Sequence, residues 1–430
     1  MFNKELDTVN KDFDNEFSNF LYKKQSVDKK ISLSVSEILQ DISIRGDLAL
    51  IEITKKLDNH HIQSFFISEE EINKSFRRID GEVIAALEFS FNNIIDYHSK
   101  CMQSFNAKPF ESEISRIFKP IKSALLYVPG GKASYPSTVL MAAGPAIASQ
   151  VDELYLTTPF VDGLVNDLTI AAAKIAGIKK IARLGGAQAI AAFSYGTESI
   201  PKVDKIVGPG NAYVSEAKRQ LFGTVGIDSI AGPSEIVILA NENSSPETVA
   251  WDLMAQAEHD EDASSILIST SSAIITEVKK VIENELPALK REAIINNSLK
   301  SNGLIIKSET LEQSIQCINK LAPEHLHIAF NSEDIEINEL KAGIILEGPD
   351  SAVSLSDYVL GPSHILPTNA SSRFSSPLSV EDFLISSSTV SINPENNINS
   401  YNELVENASI IARAEGLTAH AISIEKRKKT

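Results

Sequence analysis

The order of apolar and polar positions gives the chain two textures. Through residues 33–110 apolar side chains recur every third or fourth place, as in Ile38, Leu39, Ile42, Ile44 and Leu48, which predicts helices with one buried face. From residue 123 short β-rich runs alternate with helical segments. SALLYVPG precedes a helix from Pro136, ELYLTTPF precedes NDLTIAAAKIAG, KKIARLGG precedes AQAIAAFSYG, and VDKIVGPG precedes NAYVSEAKRQL. A second series follows: SEIVILAN, a helix over 246–258, ASSILIST, a helix over 272–285, and strands near 303–307 and 342–346. Alternation at this spacing predicts parallel sheets covered by helices. Residues 1–28 are polar with scattered Phe13, Phe17, Phe20 and Leu21, consistent with a short amphipathic helix docking elsewhere. From about 381 to 430 the helical segments have too few apolar residues for a core of their own. That piece must pack on the body or on another subunit.

Glycines punctuate the alternation. Gly130-Gly131, Gly185-Gly186, Gly208 with Gly210, and Gly232 are each expected between a strand and a helix. Such junctions form the ligand crevice at the carboxyl ends of strands in open α/β sheets. Taken singly, each is also an ordinary tight turn.

Composition narrows the class. A chain of 430 residues, 43% hydrophobic and 23% charged, suits two or three globular domains. A net charge of −17 disfavours nucleic acid and anionic membranes as partners. The acidic N-terminus lacks the apolar stretch of a signal peptide, and no segment is apolar enough to span a bilayer, so a cytoplasmic protein is expected. Cys101 and Cys317 stand alone, which leaves His, Asp, Glu or amide groups to hold any metal. The closing EKRKKT reads as a solvated tail.

Eight histidines are present, and His60, His61 and His98 read as surface or satisfied core residues. The others sit in unusual strings. In QAEHD, Gln256 and His259 at i, i+3 share a helical face and could chelate one ion; a helix end with favourable charges is the plainer reading. In APEHLHI, Pro323 stops a helix, Glu324 and His325 are neighbours suited to acid–base work, and a strand would put His325 and His327 on one face. SDYVLGPSHILPT brings Asp357 and His364 around a Gly-Pro turn, and AEGLTAH brings Glu415 and His420. Together they supply N and O ligands for a zinc site without thiolates, plus a Glu–His pair. No G-x-G-x-x-G follows a strand; GPGNAY has only its first half, so a dinucleotide would need another mode of binding.

YVPGGKASYPSTVLM (127–141), the run from Gly185 to Gln220, AGPSE (231–235), QAEHD, APEHLHI, DYVLGPSHILPT and AEGLTAH occur in this order in the histidinol dehydrogenases, and the chain resembles that family from about residue 120 to 420. The resemblance implies a zinc- and NAD-dependent oxidation of L-histidinol through L-histidinal to L-histidine. It implies zinc held by Gln256, His259, Asp357 and His420, His325 as general base, and Glu324 activating water on the aldehyde. Ser234, His364 and Glu415 match substrate contacts alongside Gln256, His259, His325, Asp357 and His420; Tyr127, Gln188 and Asn211 match NAD contacts. The implied fold is α/β, with two incomplete Rossmann-like parallel-sheet domains of similar topology and small helical termini. The implied segments are an N-terminal helical arm over 1–28, a discontinuous first domain over 29–122 and 235–380 on the substrate and metal side, a second over 123–234 on the NAD side, and a tail over 381–430. That tail is expected to complete the site across a homodimer. Pro377 stands where the family usually has Gly, and Ala352 where Pro is common. Two other readings remain at this stage: a zinc hydrolase with Glu324 as base, and a non-catalytic metal-binding or dimer scaffold.

Overall fold

The computed structural model describes residues 2–24, 29–58, 62, 64–105, 113–130, 134–160, 164–331 and 333–429. His60, His61 and Gly131 lie outside them. The chain forms two compact units, a large one of Met1–Met102 with Pro120–Leu384 and a small one of Gln103–Lys119 with Ile385–Thr430.

The chain opens with β1 (Lys4–Asp7) and α1 (Phe13–Lys24), then runs through α2 (Lys29–Arg45), α3 (Asp47–Asp58), α4 (Glu69–Phe76), α5 (Gly81–Gln103) and β2 (Ile114–Pro120). Next come β3 (Ser123–Tyr127), α6 (Pro136–Ala148), β4 (Glu153–Thr158), α7 (Asp167–Ile175), β5 (Lys180–Arg183), α8 (Gly186–Tyr195), β6 (Lys205–Val207), α9 (Ala212–Leu221) and β7 (Gly226–Ile227). The second series is β8 (Glu235–Ala240), α10 (Pro246–Ala257), β9 (Ser264–Ser269), α11 (Ser272–Glu285), α12 (Glu292–Asn302), β10 (Leu304–Lys307), α13 (Leu311–Leu321), β11 (His325–Ile328), β12 (Ile344–Glu347) and α14 (Val353–Tyr358). The chain ends with β13 (Leu384–Val390), α15 (Ile398–Ala414) and α16 (Thr418–Glu425).

In the large unit one sheet has the order β5-β4-β3-β6-β7 and the other β1-β10-β9-β8-β11-β12, parallel throughout. Counted along the chain, both run third, second, first, fourth, fifth, with β1 added at one edge of the second. The expected likeness of two parallel α/β sheets is present.

Both faces of the six-stranded sheet are buried, so its strands read as nearly unbroken apolar runs. Ile236, Ile238 and Leu267 pack with Val249, Leu253 and Val278 of α10 and α11. Val237, Leu239, Leu326 and Ile328 point the other way, toward Phe17, Phe20 and Ile318. Alternation along β11 therefore turns His325 and His327 to the α10 side.

One expected element changes. The N-terminal segment is not only helical: its KELD strand pairs with β10, while Phe17 and Phe20 of α1 enter the core beneath. Val35, Leu39, Ile42, Leu50, Ile72 and Ile94 share a core with Leu125, Leu156, Ile181 and Val207 of the five-stranded sheet and Ile190 of α8. The Ile67 N–H donates to the Ile181 carbonyl at 3.0 Å and the Arg183 N–H to the Phe65 carbonyl at 2.8 Å, closing the edge of β5. Residues Gln103–Lys119 join the small unit, where β2 pairs with β13. Ala352 has φ −62°, the angle a proline would impose, so the turn into α14 does not need the ring.

Candidate active site

The Glu–His pair owes its position to the way α13 ends. Ala322 takes a left-handed conformation, φ 39°, with its N–H still bonded to the Ile318 carbonyl at 2.7 Å, and Pro323 prevents another turn. The chain swings into β11, so Glu324 and His325 arrive buried at the amino end of a central strand, 6% and 3% exposed. Glu324 Oε2 accepts the Glu235 N–H at 2.7 Å. His325 Nδ1 lies 3.2 Å from the Glu235 carbonyl and 3.7 Å from Glu324 Oε2, and Nε2 lies 3.2 Å from Asp357 Oδ1. These partners are acceptors, so both ring nitrogens donate in this arrangement.

Burial works against charge on every one of these groups, and the neighbours decide the outcome. It raises the Glu324 carboxyl above the usual range, only partly offset by His325. Burial also opposes the His325 imidazolium, but the Glu324 and Asp357 carboxylates outweigh it and carry the ring well above its ordinary value. Asp357 resists burial through the hydrogen bond from His325 and the nearby His364 and His259, and stays below the ordinary carboxylate value.

Gln256, in the last turn of α10, is 2% exposed, and its Nε2 has no hydrogen-bond partner. The turn continues to exposed His259, whose N–H donates to the Gln256 carbonyl at 3.2 Å. Asp357 belongs to α14. Among the described residues no three His, Cys, Asp or Glu side chains gather as a metal site. The expected set, however, takes only His259 and Asp357 of that kind from the large unit. A buried amide without a partner, an imidazole and an ionised carboxylate are the oxygen and nitrogen donors that zinc accepts, so these residues fit a divalent cation. Glu415 and His420 lie in the small unit, at the end of α15 and in α16, both exposed.

His364 is half-buried. Its Nδ1 donates to the Asp357 carbonyl at 2.9 Å and Nε2 faces the Thr138 hydroxyl at 3.1 Å, which leaves Nε2 as acceptor; burial depresses its pKa. Ser234 directly precedes β8. Gly232 differs from its expected place: it leads into that strand and not a helix, because AGPSE carries the chain from one sheet to the other. Its N–H donates to Thr368 Oγ1 at 2.6 Å, and a Cβ there would come within 2.1 Å of the Asn369 amide.

The residues matched to NAD contacts lie at the carboxyl ends of the five-stranded sheet. Tyr127 ends β3, is 2% exposed, and its hydroxyl accepts the Gly186 N–H at 3.1 Å; burial pushes its pKa to about 12. Gln188 Nε2 reaches Asp58 Oδ2 at 3.4 Å, while its buried Oε1 has no partner. Asn211 caps α9, its Oδ1 accepting the Tyr213 and Val214 N–H groups at 3.0 and 3.1 Å. These residues thus follow the carboxyl ends of their strands, whereas Glu324, His325 and Ser234 stand at the amino ends of theirs.

Sequence reasoning missed Asp252, Thr138 and the buried Lys218–Asp228 pair. Asp252 lies four residues before Gln256, on the same helical face, which was the available signal.

Comparison with known proteins gives this geometry its family. The model of a family described as histidinol dehydrogenase matches residues 21–428. A histidinol dehydrogenase of Pseudomonas syringae pv. tomato is 40% identical over 430 residues, covering 99% of this chain and 95% of its own. That of Clostridium acetobutylicum is 43% identical over 404 residues, covering 93% of each. The crystal structure of histidinol dehydrogenase from Elizabethkingia anophelis superposes with a TM-score of 0.89 at 32% identity, covering 99% of this chain and 97% of that one.

Proposed function

The chain belongs to the histidinol dehydrogenase family, oxidoreductases of histidine biosynthesis, and on that premise we propose how its residues divide the work. L-histidinol is oxidised to L-histidinal and then to L-histidine, and NAD, when bound, accepts the two electrons of each step. The first step releases one proton; the second consumes a water and releases two, because the acid it forms is ionised. In its neutral form, with one ring nitrogen free of its proton, His325 takes the alcohol proton as hydride leaves, and later that of the aldehyde hydrate. Glu324 draws the proton from the water that adds to the aldehyde. The observation that carries this assignment is the buried contact of a carboxylate and an imidazole, 3.7 Å apart at the mouth of β11.

Gln256, His259 and Asp357, with His420, would hold zinc, which supplies a fixed cation to anchor the imidazole and amine of the substrate. Ser234, His364 and Glu415 orient the substrate, and Tyr127, Gln188 and Asn211 receive NAD at the five-stranded sheet. The small unit exposes Leu404, Ile410, Ile411, Leu417 and Ile422, a surface suited to docking on a second copy. We assign Glu415 and His420 to the partner's site in a homodimer. Among the described residues no helix is long and apolar enough to cross a membrane, and the cytoplasm suits this chemistry.

The test is NADH formation from L-histidinol, with and without chelator. A chain that forms no NADH with metal supplied would overturn the proposal, as would full turnover in a verified metal-free sample.

A further inference from the structure

His327 plays no part in the chemistry above, yet it is more deeply buried than His325, 1% exposed, and both its nitrogens are engaged. Nδ1 lies 3.0 Å from Asp252 Oδ2 and Nε2 lies 3.0 Å from the Gly348 carbonyl. The ring is thus held at one nitrogen by a carboxylate of α10 and at the other by the backbone of the turn after β12. The three elements that meet here each carry one component of the proposed site. β11 carries His325, α10 carries Gln256 and leads to His259, and the turn at Gly348, φ +93°, leads into α14 with Asp357.

The spacings match. α10 connects two parallel strands and so runs against β11. Four helical residues advance about 6 Å and two strand residues about 6.6 Å. With Asp252 locked to His327, Gln256 therefore comes level with His325.

We propose that Asp252 and His327 are positioning residues that set the axial register between the base-bearing strand and the metal-bearing helix. This rests on the metal reading above. If the register slips, Gln256 and His259 lose their alignment with Asp357 although every proposed ligand is still present.

The test uses full-length protein loaded with cobalt(II) as the only metal. Wild type, His259→Ala, Asp252→Ala, His327→Leu and the double Asp252→Ala/His327→Leu variant are compared. For each, the visible cobalt spectrum, the rate of cobalt loss to chelator, the thermal midpoint, kcat, and KM for NAD are recorded. Asp252→Ala and His327→Leu should each alter the spectrum, speed cobalt loss about tenfold and lower kcat about tenfold, with KM for NAD unchanged. The double variant should be no worse than the worse single one, because the pair acts as a unit. Asp252→Asn, which keeps the shape and an acceptor, replaces the alanine variant if that fails to fold. Variants with wild-type spectrum, release rate and kcat, even at a lowered midpoint, overturn the inference while His259→Ala upholds the metal reading. Wild type that takes up no cobalt overturns both.

Discussion

Lys218 and Asp228 hold the backbone of one residue, Gly208, on both sides. Asp228 Oδ2 accepts the Gly208 N–H at 2.7 Å, and Lys218 Nζ donates to the Gly208 carbonyl at 3.0 Å, while the two side chains bond each other. Gly208 cannot be replaced easily, since a Cβ there would lie 2.0 Å from the Tyr127 carbonyl oxygen. The ion pair thus fixes the loop that presents Asn211. Lys218→Met should destabilise the fold by about 3–5 kcal/mol, since it leaves Asp228 buried and unpaired. A double change, Lys218→Met with Asp228→Leu, should recover much of that stability yet still raise KM for NAD about tenfold through the loosened loop. Denaturant titration and steady-state kinetics check both halves. A Lys218→Met protein as stable as wild type would contradict the first.

Glu324 and His325 should separate by step. His325→Asn should slow both oxidations by about 10²–10⁴-fold, because each releases a proton as hydride departs. Glu324→Gln should impair histidinal oxidation far more than histidinol oxidation, since only the aldehyde takes up water. The two substrates are assayed separately, and equal losses for Glu324→Gln would refute the division.

A mixing experiment decides whether His420 serves the partner. His259→Ala and His420→Ala proteins, each nearly inactive, are unfolded and refolded together. With random pairing half the dimers are mixed, and each mixed dimer holds one intact site if His420 crosses over. Roughly a quarter of wild-type activity should then return. A dead mixture beside a well-refolded wild type would mean the tail folds back on its own chain.

His98 gives stability a pH dependence. It is 1% exposed, neither ring nitrogen has a partner, and burial lowers its pKa to about 4 from 6.5. The unfolded chain binds a proton there below about 6.5, and the folded one only near 4. This contribution is therefore fully present above 6.5 and falls as the pH drops toward 4, by about 3 kcal/mol in all. His98→Phe should flatten that stretch of the curve. An unchanged slope in the variant would place the acid sensitivity elsewhere.

The strand–helix alternation was legible from residue 123 because strands buried on both faces leave apolar runs, as in SEIVILAN, and the glycines mark where they stop. KELD was not legible: four mostly polar residues become a strand only because β10 offers an open edge. The spacing of Ile38, Leu39 and Ile42 declared a buried face but not which sheet would cover it; Leu39 and Ile42 pack with the five-stranded one. Glu324 and His325 were visible because they are neighbours in the chain. Asp252 and His327 stand 75 residues apart, and Lys218 and Asp228 look like ordinary solvated charges until the fold removes the water. Periodicity reports burial, not partnership across the sheet.

The proposed chemistry occupies the amino edge of the six-stranded sheet, which leaves the opposite edge as neutral ground for engineering. The turn after β8 is closed by its own hydrogen bonds, Asn241 N–H to Ser244 Oγ at 3.0 Å and Ser244 N–H to the Asn241 carbonyl at 3.1 Å, with Glu242 and Asn243 exposed. It stands about 17 Å along the strand from Glu235, by the rise of an extended chain. A fluorophore or short epitope grafted between Glu242 and Asn243 would report on the folding of this sheet while the catalytic rim stayed untouched.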